Sequence, residues 1–326
     1  LMLRLILIIF IVVSQFFTLL GQQLPTYSQY TFNKFLLNPA AAGSDGYTAI
    51  SVIAREQWVG FKGTPRTHAI TGESRILKNS FISKSASVRR KRRMSSRSGR
   101  VGWGVHLFND KNGPIDRTGI EGTYSYHIDF SDYRLSFGLS VMLFQFRLKT
   151  GDLIFSDDLN DDLINGNKQS LYIPDSDFGV YFSSREFYAG LSVMQILQSA
   201  IKFGNKYGSK YGVKRHYNLL GGYIYNINNK FTIEPSFLLK VSSPFRPQLD
   251  LSTMVIYKQD YWGGISFRTG SALIIFAGTK IDRYYIGYAF DYNFNSLMSH
   301  TVGSHEIMLS VKLGDSARRY KWLNIY

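Results

Sequence analysis

Tyr133-Arg134-Leu135-Ser136-Phe137-Gly138-Leu139-Ser140-Val141-Met142-Leu143 keeps a rhythm of two. Its odd positions are large and apolar throughout, and its even positions open with Arg134, Ser136, Gly138 and Ser140. Successive strand side chains point to opposite faces, so this alternation specifies a strand with one face in apolar surroundings and the other toward water. The rhythm returns where Tyr284, Ile286, Tyr288, Phe290 and Tyr292 alternate with Tyr285, Gly287, Ala289, Asp291 and Asn293. It also runs through Ile120, Gly122, Tyr124, Tyr126, Ile128 and Phe130, set against Gly119, Glu121, Thr123, Ser125, His127 and Asp129. A soluble sandwich alternates for the same reason. Here, however, tyrosine and phenylalanine crowd the apolar parity near strand ends, as the aromatic girdle of a membrane barrel requires.

About fourteen such segments follow one another: 47–58, 67–76, 101–109, 118–130, 133–148, 177–183, 187–193, 216–227, 231–241, 249–258, 261–269, 272–281, 284–294 and 305–313. Beyond Gln22 no apolar run approaches the roughly 20 residues that a spanning helix needs. A chain that spans as strands must close them, because lipid cannot satisfy an open backbone edge. The fold expected is therefore all-β: a transmembrane antiparallel up-and-down β-barrel of about 14 strands, with a short N-terminal periplasmic or plug segment.

The first residues carry Arg4, an apolar stretch over 5–13, then Phe16, Phe17, Leu19, Leu20 and Gly21 before polar Gln22 and Gln23. That is the layout of a secretory signal peptide over 1–21. An uncleaved anchor helix is the alternative, since Leu19 stands where a small residue is preferred. Residues 22–46 lack alternation and hold Asn38, Pro39 and Gly43, which marks a turn-rich element expected to lie in or under the lumen. Residues 47–313 then form the outer-membrane barrel and 314–326 a periplasmic tail.

An exported barrel with an even strand count has both termini on the periplasmic side. Parity then makes the short connections 131–132, 184–186, 228–229, 259–260 and 282–283 periplasmic, and places the long ones, 149–176, 194–215 and 295–304, outside. The sixth periplasmic connection is long and basic: Lys84, Arg89, Arg90, Lys91, Arg92, Arg93, Arg97 and Arg100, with no acidic residue among them. These eight make up more than half of the formal charge of +15. They are the candidate partner-binding residues. The run is open to three readings: a solvated turn, a dock for an acidic periplasmic partner, or a contact with anionic lipid or cell-wall polymer. Each basic residue near an anionic surface contributes about 1 kcal/mol. A periplasmic position argues against nucleic acid.

Chemistry-bearing motifs are sparse. The chain has no cysteine, and its six histidines (His68, His106, His127, His216, His300 and His305) fall in no ligand spacing, so neither a metal nor a cofactor is expected. Asp157, Asp158, Asp161 and Asp162 loosely resemble a calcium loop, but Leu163 stands where the sharp turn needs glycine. Gly102 with Gly104, and Gly221 with Gly222, open no helix, and are read as sites of close backbone approach or bends. No nucleophile motif is present, so no catalytic residues are assigned.

After the leader come Tyr27, Ser28, Gln29, Tyr30, Phe32 and Asn33, then Leu37, Asn38, Pro39, Ala40, Ala42 and Gly43. Arg55, Gln57, Trp58, Val59 and Gly60 follow, and further on come Pro247, Gln248 and Asp250; Trp262, Gly264 and Arg268; Gly287, Tyr288 and Asp291; and Ser304, His305, Glu306 and Ile307. In order and spacing these resemble the PorP/SprF family of outer-membrane proteins of the Bacteroidetes type IX secretion system. Tyr30, Asn38, Pro39, Gly43, Arg55, Gln57, Trp58 and Gly60 are the motif positions carried forward. For Arg55, Gln57 and Trp58 the expected role is lumen packing with an interfacial tryptophan. The resemblance implies a non-enzymatic barrel, set in outer-membrane lipid beside the translocon. Its implied partners are periplasmic ring or motor-linked proteins and a secreted adhesin with a C-terminal sorting domain. From a different class, a porin-like diffusion channel for small solutes would also suit a polar inward parity.

Overall fold

The computed structural model describes residues 25–60, 63–76, 100–130, 132–148, 170–198, 200–201, 211–243, 246–294 and 301–313. The leader 1–21, the tail 314–326 and the acidic run 157–162 lie outside these residues.

Two short 3-10 helices, Lys34–Leu36 and Pro39–Ala41, come first. The strands are β1 Thr48–Glu56, β2 Arg66–Ile76, β3 Val101–Asn112, β4 Ile115–Asp129, β5 Tyr133–Leu148, β6 Ser170–Ser184 and β7 Phe187–Met194. A two-residue ladder, β8 Ala200–Ile201 with β9 Tyr211–Gly212, sits in the next connection. Then come β10 His216–Tyr223, its continuation β11 Tyr225–Asn226, β12 Phe231–Ser242, β13 Arg246–Tyr257, β14 Tyr261–Arg268, β15 Ala272–Ile281, β16 Tyr284–Asn293 and β17 Ser304–Leu313.

Each long strand pairs antiparallel with the next, and β10 pairs with both β7 and β12. β17 returns to β1 in register from Thr48↔Leu313 to Glu56↔His305, closing a fourteen-stranded barrel. The rim where β1 begins and β17 ends is called the near rim, and the opposite one the far rim. At the near rim the turn at Asp282 and Arg283 is tight, with Asp282 in the left-handed region at φ 56°.

The opening stretch falls on β5 as its alternation requires. Leu139, Val141 and Leu143 are 52%, 65% and 48% exposed on the outer wall, whereas Arg134, Ser136 and Ser140 are fully buried on the inner one. Near-rim rings form a row on the outside: Phe130 stacks on Tyr133 at 4.5 Å, Tyr133 on Phe182 at 5.3 Å and Phe182 on Phe187 at 5.3 Å. Such a belt holds a barrel at the lipid–water boundary.

The structure corrects one expectation. The polar parity does point inward, but it does not face water, because residues 27–44 lie inside the barrel and are almost entirely buried there. Strand height also departs from expectation. β4 starts at Ile115 and β6 at Ser170, so β4, β5 and β6 reach 15, 16 and 15 residues, against the 9–11 that cross a membrane. Above the lipid the outward residues turn polar, as at Asp116, Thr118, Gln145 and Arg147, so the sense of the alternation inverts on β5, where Phe144 and Phe146 turn inward, and the starts of β4 and β6 no longer follow the membrane pattern. Inside this raised wall, Met142, Phe144, Phe146, Ile173 and Val213 make an apolar cluster.

Candidate functional site

The most elaborately built part of the molecule is the contact between residues 27–46 and the inner wall. On the far-rim side, the Ser28 and Gln29 N–H groups donate to the two carboxylate oxygens of Glu306 on β17, at 2.7 and 2.9 Å. Ser28 Oγ donates to Asp291 on β16 at 2.8 Å and accepts from Arg55 Nη1 of β1 at 2.6 Å. Arg55 also pairs with Asp291 at 2.6 Å and Glu306 at 3.2 Å. Arg268 on β14 links Asp291, at 3.4 Å, to Asp250 on β13, at 3.0 Å. All five charged side chains are buried. Burying them singly would be prohibitive, and their mutual pairing, with the backbone donors of the segment, makes it tolerable.

Midway, Asn33 donates to Thr71 Oγ1 at 2.8 Å, and the Tyr30 hydroxyl lies 3.2 Å from Ser252 Oγ. The Lys34 ammonium sits over the Tyr188 ring at 3.9 Å, while the Tyr188 hydroxyl donates to Glu234 at 2.7 Å. Asn38 caps the second short helix by accepting from Ala40 N–H at 2.9 Å. Its amide nitrogen donates to the Val180 carbonyl at 2.9 Å and the Leu191 carbonyl at 3.3 Å. Pro39 at the first helical position has no N–H to orphan, which suits the turn.

Toward the near rim the Ala42 carbonyl accepts from Ser125 Oγ at 2.7 Å and from His127 Nε2 at 3.1 Å. Gly43 N–H donates to Glu73 at 2.7 Å, the Ser44 carbonyl accepts from Arg134, and Asp45 pairs with Lys312 at 3.6 Å. Gly43 is required twice over: its φ is +67°, and a β-carbon would come within 2.8 Å of the Ser74 carbonyl oxygen. On the wall, a methyl on Gly138 would collide with the Pro39–Ala40 peptide. Asn218 of β10 also donates to the Leu37 carbonyl, at 3.2 Å, so this one segment touches β1, β2, β4, β5, β6, β7, β10, β12, β13, β16 and β17 from within, and fills the lumen.

Of the motif positions, Tyr30, Asn38, Pro39, Gly43 and Arg55 converge on this contact. Gln57, Trp58 and Gly60 lie instead in the far-rim turn after β1. There Trp58 takes φ +52° and donates its N–H to Ser304 Oγ at 3.2 Å, Gly60 takes φ +116°, and Gln57 N–H donates to the Pro65 carbonyl at 2.9 Å. Arg100 of the basic run is exposed, its Nη1 3.5 Å from the Tyr126 hydroxyl. Lys84, Arg89, Arg90, Lys91, Arg92, Arg93 and Arg97 lie outside the described residues. Sequence reading did not place Glu73, Glu234, Asp250, Arg268, Asp291 and Glu306 in a common site. The inward parity of Asp291 and Glu306 marks them as wall-lining, but nothing in the spacing brings Arg55 to them.

A closed barrel with an apolar aromatic-belted exterior and a charged, filled interior defines an outer-membrane β-barrel of the occupied-lumen kind. The chain belongs to the PorP/SprF family: residues 19–311 match the family described as type IX secretion system membrane protein PorP/SprF. Among solved structures it is similar to the outer membrane protein Omp33 of Acinetobacter baumannii, at 11% identity over 82% of this chain and 99% of that one, TM-score 0.42. It is also similar to the KdgM porin in complex with disordered oligogalacturonate, at 10% identity over 82% and 98%, TM-score 0.37. CdiB from Acinetobacter baumannii matches at 7% identity over 82% of this chain and 60% of that one, TM-score 0.42. No curated protein matches the chain at a significant level.

Proposed function

We propose that this protein is a non-enzymatic, partner-binding component of the type IX secretion system, with its near rim in the periplasm, and not a diffusion channel. The observation that carries this reading is the filled lumen: a porin gains nothing from a segment hydrogen-bonded to eleven of its strands. Charge supplies the second support. At the near rim, exposed Arg185, Lys258 and Arg283 stand beside exposed Glu186, Asp260 and Asp282, so the described turns are close to balanced. The excess belongs to the basic run between β2 and β3. A cluster of that density suits an acidic face of a periplasmic ring or motor-linked protein, and the longer far-rim connections are left for a sorting-domain adhesin.

The test is crosslinking of the tagged, full-length chain in its own cells, followed by identification of what co-purifies from the outer membrane. Recovery of type IX ring proteins or a sorting-domain adhesin is expected. Recovery of the ring proteins should fall when Arg89, Arg90, Lys91, Arg92 and Arg93 are replaced by glutamine. A barrel that comes out alone and conducts ions freely would overturn the reading in favour of a solute channel.

A further inference from the structure

Strand parity fixes where β1 begins and where β17 ends, but it is silent on the segment ahead of β1. The direction of that segment can be followed along a single strand. Ser28 and Gln29 are held by Glu306, the third residue of β17, whereas Asp45 is held by Lys312 of the same strand. Those anchors are six residues apart, about 20 Å of strand at 3.3–3.4 Å per residue. Other walls give the same order. Ser28 meets Asp291 near the far-rim end of β16, Asn33 meets Thr71 in the middle of β2, and Ser44 meets Arg134 at the near-rim start of β5. Burial agrees, because Pro25 and Thr26 are half-buried, residues 27–44 form the buried stretch, and Asp45 is exposed again at the other end.

We infer that residues 25–47 thread the barrel end to end, so that Pro25 stands at the outer mouth, on the cell-surface side, although β1 begins in the periplasm. The segment is then a strap fixed at both mouths: by Arg55, Asp291 and Glu306 outside, and by Glu73, Arg134 and Lys312 inside. With Pro25 and Thr26 half-buried at the outer mouth, that end is the one at which a molecule at the cell surface can reach the strap. Assigning that end to the outside rests on the membrane orientation proposed above, whereas the threading does not.

The absence of native cysteine makes the test direct. Pro25→Cys and Asp45→Cys are made singly in the full chain. Each is labelled with a membrane-impermeant maleimide in intact cells and after the outer membrane is opened, scoring only protein that migrates as a heat-modifiable folded barrel. Labelling of Pro25→Cys in intact cells, and of Asp45→Cys only after opening, is expected. Labelling of both from one side would overturn the threading. The reverse pattern would keep the threading and overturn the orientation. An epitope inserted directly ahead of Pro25 gives a second readout: staining on intact cells supports the inference, and staining only on opened cells, with folded barrel present, overturns it.

Discussion

Arg55 shows how one side chain ties three parts of the chain together. Its two terminal nitrogens meet Asp291 on one strand, Glu306 on the next, and Ser28 of the lumen segment. Replacing it with alanine leaves two buried carboxylates facing each other with Arg268 as the remaining guanidinium partner of Asp291. Breaking a buried pair by removing one member costs about 3–5 kcal/mol. Arg55→Ala should therefore lower the temperature at which the folded barrel loses its fast gel migration. Arg55→Lys should recover only part of the loss, because an ammonium cannot serve Asp291 and Glu306 with the fixed fork of a guanidinium. Equal midpoints for Arg55→Ala and the parent would show that these charges are solvated and that the clamp contributes little.

At the scale of elements, glycines separate the two faces of the wall. Gly138 on β5 points inward, where a β-carbon would strike the Pro39–Ala40 peptide, while Gly122 on β4 points to lipid with nothing within 4 Å of a built β-carbon. Gly138→Leu should dislodge the strap and give a conducting barrel in planar bilayers, whereas Gly122→Ala should leave both folding and conductance unchanged. Failure of Gly138→Leu to alter conductance, in a barrel that still assembles, would mean the strap can shift without leaving the lumen. The same contrast explains what the sequence revealed. Alternation along Tyr133 to Leu143 is a local property and marked β5 through its whole length, and Tyr284 to Tyr292 marked β16 equally well. The reading failed at Ile115 and Ser170, where β4 and β6 rise past the lipid and outward residues such as Asp116 and Tyr172 no longer follow one pattern. Convergence of Arg55, Asp250, Arg268, Asp291 and Glu306 was illegible for a different reason. It depends on closure of β17 onto β1 and on the path of residues 27–46, both set by contacts remote in sequence, up to the 278 residues between Ser28 and Glu306.

For the whole molecule the decisive quantity is whether the wall or its filling holds the barrel together. Closure through fourteen antiparallel ladders is complete without residues 27–46, since every long strand has two strand neighbours. The inner surface that the strap covers is largely polar, with Ser125, His127, Ser192, Asn218, Glu234, Ser252, Asp291 and Glu306 among its contacts, so water can take the strap's place there. A fourteen-stranded barrel lies between those filled by side chains at eight strands and the open porins at sixteen to eighteen. Deleting residues 27–38 should thus leave a barrel that assembles and remains heat-modifiable, with a lower midpoint, and should raise single-channel conductance in planar bilayers. Unchanged conductance in an assembled variant would remove the strap as the seal and leave the remaining wall side chains, such as the apolar cluster of Met142, Phe144, Phe146 and Ile173, as the barrier. Loss of the barrel altogether would place the strap in the folding nucleus, with the wall closing around it.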